Sequence, residues 1–279
     1  MLTPGCSVLT MVYSLDTTES EEEVQAGLWL IRKAGHRIEV LLEEPGLRDP
    51  EKGSRLAAVD ALTPYQPMSN QLSIFDMVAV DNLRAAVKYI EKANDVPMTA
   101  LYSMIRSAVE ATSYGLWLLH AGKVNKQAFL SLRISYENNE DLANLGKVFV
   151  PGQESGDSVR KRLRELQQAI PAYRNHDLSA RPTTTDVISN ADKAVPKRET
   201  FSGLQVWKSC SGLAHANSAV IPHILERKFA GDVENGKMFR LTSRMTMLGA
   251  FLITGVENLE TLRVLHRDAA AAPPWSKKA

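Results

Sequence analysis

Two pairs of polar residues stand out because each falls on an otherwise apolar helical stretch. From Pro97 to Ala121 the only full charges are Arg106 and Glu110, four residues apart and so on one helix face. Charges on such a helix are costly unless they are paired. Further on, Ser211 and His215 share the same spacing, and Asn217 follows within a turn. If the two helices pack together, all four converge in one polar pocket. Used as a site, that pocket would take His215 as acid–base, Glu110 to orient it and Arg106 to hold an anion such as phosphate. Used as architecture, it would be a satisfied polar network that fixes helix register, which is the commoner role of such pairs. His215→Ala separates the two. A structural cluster would lose about 1–3 kcal/mol of stability, whereas a catalytic one would lose activity with the fold kept.

The phrases LYSMIRSAVEATSYGLWLL and VWKSCSGLAHANS resemble those of uncharacterised bacterial helical proteins that carry an Arg-x3-Glu helix and later a Ser-x3-His helix. The matching residues are Arg106 and Glu110, then Ser211 and His215, with Trp117 and Trp207 as aromatic neighbours. The resemblance spans roughly residues 75 to 265. It implies an all-helical fold and, in some members, a setting in mobile elements or phage defence, without an established activity. Some similar families shade into HEPN domains, which include metal-independent ribonucleases. Their signature is an arginine, four to six residues, then a histidine on one helix. Here Arg32 and His36 are separated by three residues, Arg263 and His266 by two, and Arg174 and His176 by one. His120, His215 and His223 have no arginine close upstream. A ribonuclease or nucleotide-acting enzyme would therefore have to draw Arg106 and His215 from separate helices.

Other chemistry is thinner. There is no GxxxxGK[ST] loop, no GxGxxG after a strand, no HExxH and no GxSxG. His36-x2-Glu39 and His223-x2-Glu226 each put a His and a Glu on one face. Their order is the reverse of the Glu-x2-His of helical di-iron sites, and inward carboxylates are few, so solvated surface is the reading and no metal is assigned. Arg160, Lys161, Arg162 and Arg164 form a basic run, with Arg174, Arg181 and Tyr173 beyond. It would suit nucleic acid or an acidic partner, although most such runs are the solvated face of a helix. Cys210 reads as an inert core thiol. Trp29, Trp117, Trp207 and the methionines near Met245 read as core. No cofactor is implied.

The elements that must position these residues repeat their apolar positions at three and four, and no segment alternates convincingly as a strand. Helices are expected at about 18–43, 70–94, 97–121, 125–145, 158–170, 199–220 and 238–266. A short one should begin at the capping-box-like Thr183-x-x-Asp186, and a helical turn is expected near 55–61. The helix over 97–121 is apolar on almost every side and belongs in the middle of a bundle. Pro222 bends or ends the 199–220 helix, and AGDVENGK is a turn. The sum is an all-α bundle of about eight helices over 18–268, with an N-terminal extension at 1–17 and a flexible tail at 269–279. Loops 44–69 and 171–198 would lie over one end.

Composition agrees. The chain has 279 residues, 44% hydrophobic and 23% charged, enough for a sizeable core. A formal charge of +1 gives no global field to draw nucleic acid or a membrane. Two cysteines, Cys6 and Cys210, make no disulfide framework and suit the cytoplasm. The longest nearly apolar run, Met247 to Val256, is too short to span a bilayer. The stretch from Met245 to Val256 would serve either as core or as a homodimer face. The functional expectation is a binding protein for an unknown partner protein or small ligand.

Overall fold

The computed structural model describes residues 16–93, 96–149, 157–234 and 236–273. Most of the expected extension and tail lies outside them. The bulk is helical as expected, but the described residues hold ten α-helices rather than about eight, and a small sheet that the periodicity missed. The helices are α1 (Glu21–Glu43), α2 (Arg55–Leu62), α3 (Met68–Lys92), α4 (Ala100–His120), α5 (Val124–Phe149), α6 (Asp157–Gln168), α7 (Thr184–Ala191), α8 (Gly203–Ala214), the single turn α9 (Ile221–Ile224) and α10 (Met245–Ala270). A 3-10 turn over Asp192–Ala194 leads from α7 toward α8.

Two helices form the middle. α4 packs on α3, α7, α8 and α10, as its all-round apolar character requires. α10 packs on α1, α3, α4 and α8, and its Leu248, Leu252, Ile253, Val256, Leu259 and Leu262 are fully buried. From Leu248 to Val256 the apolar stretch is buried within the chain, while Met245 to Met247 are partly exposed. α10 and α1 run in the same direction, with Gly27 beside Met245 and Arg37 on Glu260. Their approach is close because two glycines meet there. A Cβ on Gly27 would stand 2.3 Å from the Met245 carbonyl carbon, and one on Gly249 would stand 2.7 Å from the Gly27 carbonyl oxygen.

The caps show how the starts of α1 and α10 are joined. Ser20 and Glu23 form the capping box of α1. Glu19, which looks from sequence like another acid for that helix, instead caps α10, where its carboxylate accepts from the backbone N–H groups of Met245 at 2.7 Å and Thr246 at 2.9 Å. The first described residues are thereby fixed to the start of the last helix, where a carboxylate also favours the helix dipole.

A charge pair sits inside this packing. Arg263 of α10 donates through Nε and Nη2 to the two oxygens of Asp76 of α3, at 2.8 and 2.9 Å, and through Nη1 to the Leu41 carbonyl of α1. Both side chains are at least nine-tenths buried. The arginine fork is therefore fully used, tying three helices at one level.

The sheet replaces the first turn and a half of the expected last helix. β1 (Glu226–Val233) pairs antiparallel with β2 (Gly236–Thr242), Phe229 opposite Phe239, with a bulge that leaves Ala230 unpaired. Thr17 N–H donates to the Arg227 carbonyl at 2.9 Å, so the N-terminal segment runs along β1. Leu241 packs on the main core and anchors the hairpin. Trp29 also departs from expectation. It is 58% exposed, with the Lys33 ammonium 5.3 Å from its ring centroid. The expected loop over 44–69 contains α2, whose Leu56 and Val59 are fully buried in a second core cluster with α3, α4 and α5. α10 runs on to Ala270, and Ala269 and Ala270 are buried, so the bundle extends two residues past its expected edge.

Because a Cβ on Gly27 would meet only backbone, the Met245 carbonyl carbon at 2.3 Å and the Thr246 nitrogen at 2.5 Å, Gly27→Ala should cost about 1–3 kcal/mol. Urea denaturation of the variant beside wild type measures this, and an unchanged midpoint would contradict the close α1–α10 approach.

Candidate polar site on α4 and α8

α4 leaves one stripe half-open to solvent, and Arg106, Glu110 and Tyr114 occupy it at four-residue intervals. Arg106 and Glu110 face each other at 3.7 Å, and their side chains keep 28% and 32% of their exposure. They are therefore not the buried pair that the apolar sequence context suggests. The partner that fixes them is Trp207 of α8. Its indole Nε1–H donates to Glu110 Oε2 at 2.8 Å, and the Arg106 guanidinium lies 5.7 Å from its ring centroid. One aromatic side chain thus satisfies the carboxylate and offers its face to the cation. Arg106 Nε is shielded and has no hydrogen-bond partner among the described residues.

Ser211 and His215 continue from Trp207 along α8, and the helix pairing does bring the two polar sets to the same side of the molecule. They do not join. Among the described residues, no hydrogen bond or ion pair links Arg106 or Glu110 to Ser211 or His215. Ser211 and His215 instead line a shallow recess of about 250 Å³ with Trp207, Lys208, Asn217 and Val220. His215 is exposed there. No carboxylate orients its ring, which the acid–base scheme requires.

The end of α8 explains the recess. α8 stops at Ala214 rather than continuing to residue 220, and His215 is its C-cap. Ala216 then adopts φ +52°, its N–H bonding the Leu213 carbonyl at 3.1 Å while Asn217 N–H bonds the Gly212 carbonyl at 2.8 Å. This is a Schellman ending with alanine at the position glycine normally holds. The sequence offers no glycine there to announce it. The reversal brings Val220 onto Gly212, where a Cβ would meet Val220 Cγ1 at 2.7 Å.

Cys210, next to Ser211, is fully buried, and burial pushes its thiol far above the usual range, with only partial opposition from Arg106. It is inert, as its sequence context implies. Tyr114, which no motif marked, stacks on Phe75 at 5.9 Å between centroids. Burial raises its phenol pKa, a Thr184 hydrogen bond opposes that, and Glu137 and Glu110 add to it. Its spacing from Glu110 was the available signal.

The basic run is largely committed within the chain. Arg160 pairs with Asp157. Arg162 lies over Tyr65 at 4.3 Å, and Arg164 over Tyr136 at 5.3 Å, each also donating to that tyrosine's hydroxyl. These contacts clamp α6 onto the α2–α3 connection and α5. Arg181 is shared by Glu137, Glu140 and Asp141, and Tyr173 stacks on Phe129. Lys161 is exposed without such a contact. His36 and Glu39 sit on the α1–α3 surface with Arg84, which pairs with Glu39 at 3.5 Å. No group of three or more metal-ligating side chains occurs among the described residues. None of their helices is long and apolar enough to cross a membrane.

Compared with protein families, curated proteins and solved structures, the chain matches none.

Two substitutions test this geometry. Ala216→Gly should stabilise the protein by about 1–2 kcal/mol, because glycine pays no left-handed penalty. His215→Ala should leave the unfolding free energy unchanged within about 0.5 kcal/mol, as expected of an exposed side chain without a side-chain partner among the described residues. A clear loss from His215→Ala would restore the structural network that the sequence suggested.

Proposed function

We propose that this chain is a binding protein whose recognition surface centres on Trp207. The observation that carries the reading is the immobilised indole. Its N–H is fixed on Glu110 and its face is met by Arg106, while Ser211 and His215 line the adjoining recess. Trp207 packs one side on the main core, and a partly buried aromatic held by two polar partners lies ready to meet a partner protein with little ordering entropy left to lose. Trp and Arg are the residue types that dominate such contacts. The recess beside it takes one side chain of the partner. The resemblance to helical proteins of mobile elements and phage defence supplies the setting this reading favours, with the partner drawn from the same system.

The ribonuclease or nucleotide-acting alternative asks His215 and Arg106 to work together. Their separation into an exposed recess and a tryptophan-linked ion pair speaks against it.

A photo-crosslinking amino acid at Lys208, on the rim of the recess, tests the reading in the native host. One discrete protein adduct is expected at position 208, absent when Trp207→Ala is added and absent when the crosslinker is placed at Lys88. Assays for ribonuclease and nucleotide hydrolysis run beside it, with wild type and His215→Ala. Activity in wild type that His215→Ala abolishes at an unchanged melting temperature would overturn the binding reading in favour of the enzyme.

A further inference from the structure

The buried polar side chains of α10 are otherwise matched. Thr254 donates within the bundle to the Phe201 carbonyl, Glu257 accepts from Glu199 N–H and faces Arg198, Asn258 meets Arg198 and Thr112, and Arg263 is saturated by Asp76 and Leu41. Two gaps remain. Glu257 Oε2 faces Arg198 Nη1 at 3.6 Å with no hydrogen bond. His266 has a ring nitrogen with neither an ion pair nor a hydrogen bond. It is 2% exposed, and its Nε2 is buried with no hydrogen-bond partner among the described residues. A ring nitrogen left unpaired in a buried position costs free energy that a bound donor or acceptor would recover.

His266 lines a cavity of about 330 Å³ between the last turns of α10 and the loop after α1. The size suits a small molecule. Pro45, Leu47, Ala270 and Ala271 give it an apolar wall. Arg48 and Arg267 also line it, and neither guanidinium has an ion pair or hydrogen bond among the described residues. Arg263 closes the floor, already neutralised by Asp76. The cavity therefore combines two uncommitted cations, one uncommitted ring nitrogen and an apolar wall.

The carboxylates at the cavity limit what fits. Glu51 is engaged, its Oε2 accepting from Ala272 N–H at 2.9 Å. Glu44 and Asp49 are exposed on the rim and would repel a multiply charged head. Burial lowers the pKa of His266, against smaller opposing effects of Asp76 and Asp60, so the ring is neutral at pH 7 and one N–H is available to donate.

We infer that this cavity binds a small amphipathic monoanion, its carboxylate-like head held by Arg48, Arg267 and His266 and its apolar body against Leu47 and Ala270. The site lies toward the C-terminal end of α10, several turns along from the level of Trp207, and is independent of the surface proposed above.

Calorimetry on the full chain tests it, with hexanoate as the probe and hexylammonium and inorganic phosphate as controls. Hexanoate should give a saturable isotherm in the millimolar range or below, and hexylammonium none. Arg267→Gln, at an exposed position that leaves folding intact, should weaken hexanoate about tenfold or more. His266→Gln, which keeps a donor, should weaken it less than His266→Leu, and thermal melting of both establishes that they are folded. Absence of hexanoate saturation, equal binding of hexylammonium, tighter binding of inorganic phosphate, or unchanged affinity in folded Arg267→Gln would each overturn the inference.

Discussion

The structure depends on the burial of α10. A helix enclosed by α1, α3, α4 and α8 cannot leave buried charges or amides to water, so its inward polar side chains, His266 apart, each take a partner on another element. Arg263 requires Asp76 and the Leu41 carbonyl, which sets the level of α1 and α3 together. Glu257 and Asn258 require Arg198, and Arg198 in turn holds Asp192. Asp192 then accepts from the N–H groups of Gly203 at 2.8 Å and Leu204 at 3.0 Å and so starts α8. Gly203 is needed there because a Cβ would stand 2.8 Å from the Asp192 oxygen. The placement of Trp207 is thus inherited from polar groups on the neighbouring α10.

That chain of dependence clarifies which polar groups are architecture and which are free to act. Paired groups inside the bundle are architecture, and their removal would strand a buried partner. Arg106, Glu110 and Trp207 are satisfied among themselves but remain half-open, so they can hold one another and still meet a partner. His215 is exposed and His266 is buried and orphaned, which are opposite environments for the same side chain. Among the described residues, neither ring makes a hydrogen bond to a carboxylate.

Much of the architecture is legible in the sequence. The all-round apolar character of 97–121 placed α4 in the middle, the Thr183-x-x-Asp186 cap located α7, and the spacing of Arg106 and Glu110 located a real contact. The hairpin was hidden because its strands are short, bulged and half-exposed, so Phe229, Phe239 and Leu241 gave no long alternation. The early end of α8 was hidden because alanine occupies the left-handed position. The Asp76–Arg263 pair was readable in principle, since Asp76 falls on the apolar stripe of Leu72, Ala79 and Leu83, and a charge on such a stripe demands a mate. Long-range partners such as Glu19 with α10 leave no periodic trace at all.

A double-mutant cycle on Asp76 and Arg263 tests the dependence on α10 most directly. Asp76→Leu alone should cost about 3–5 kcal/mol, because it strands a buried guanidinium, while adding Arg263→Met to it should recover most of that loss. If the single loss is small, or if the two changes are simply additive, the pair is not fixed by the burial of α10 and the account fails at its centre.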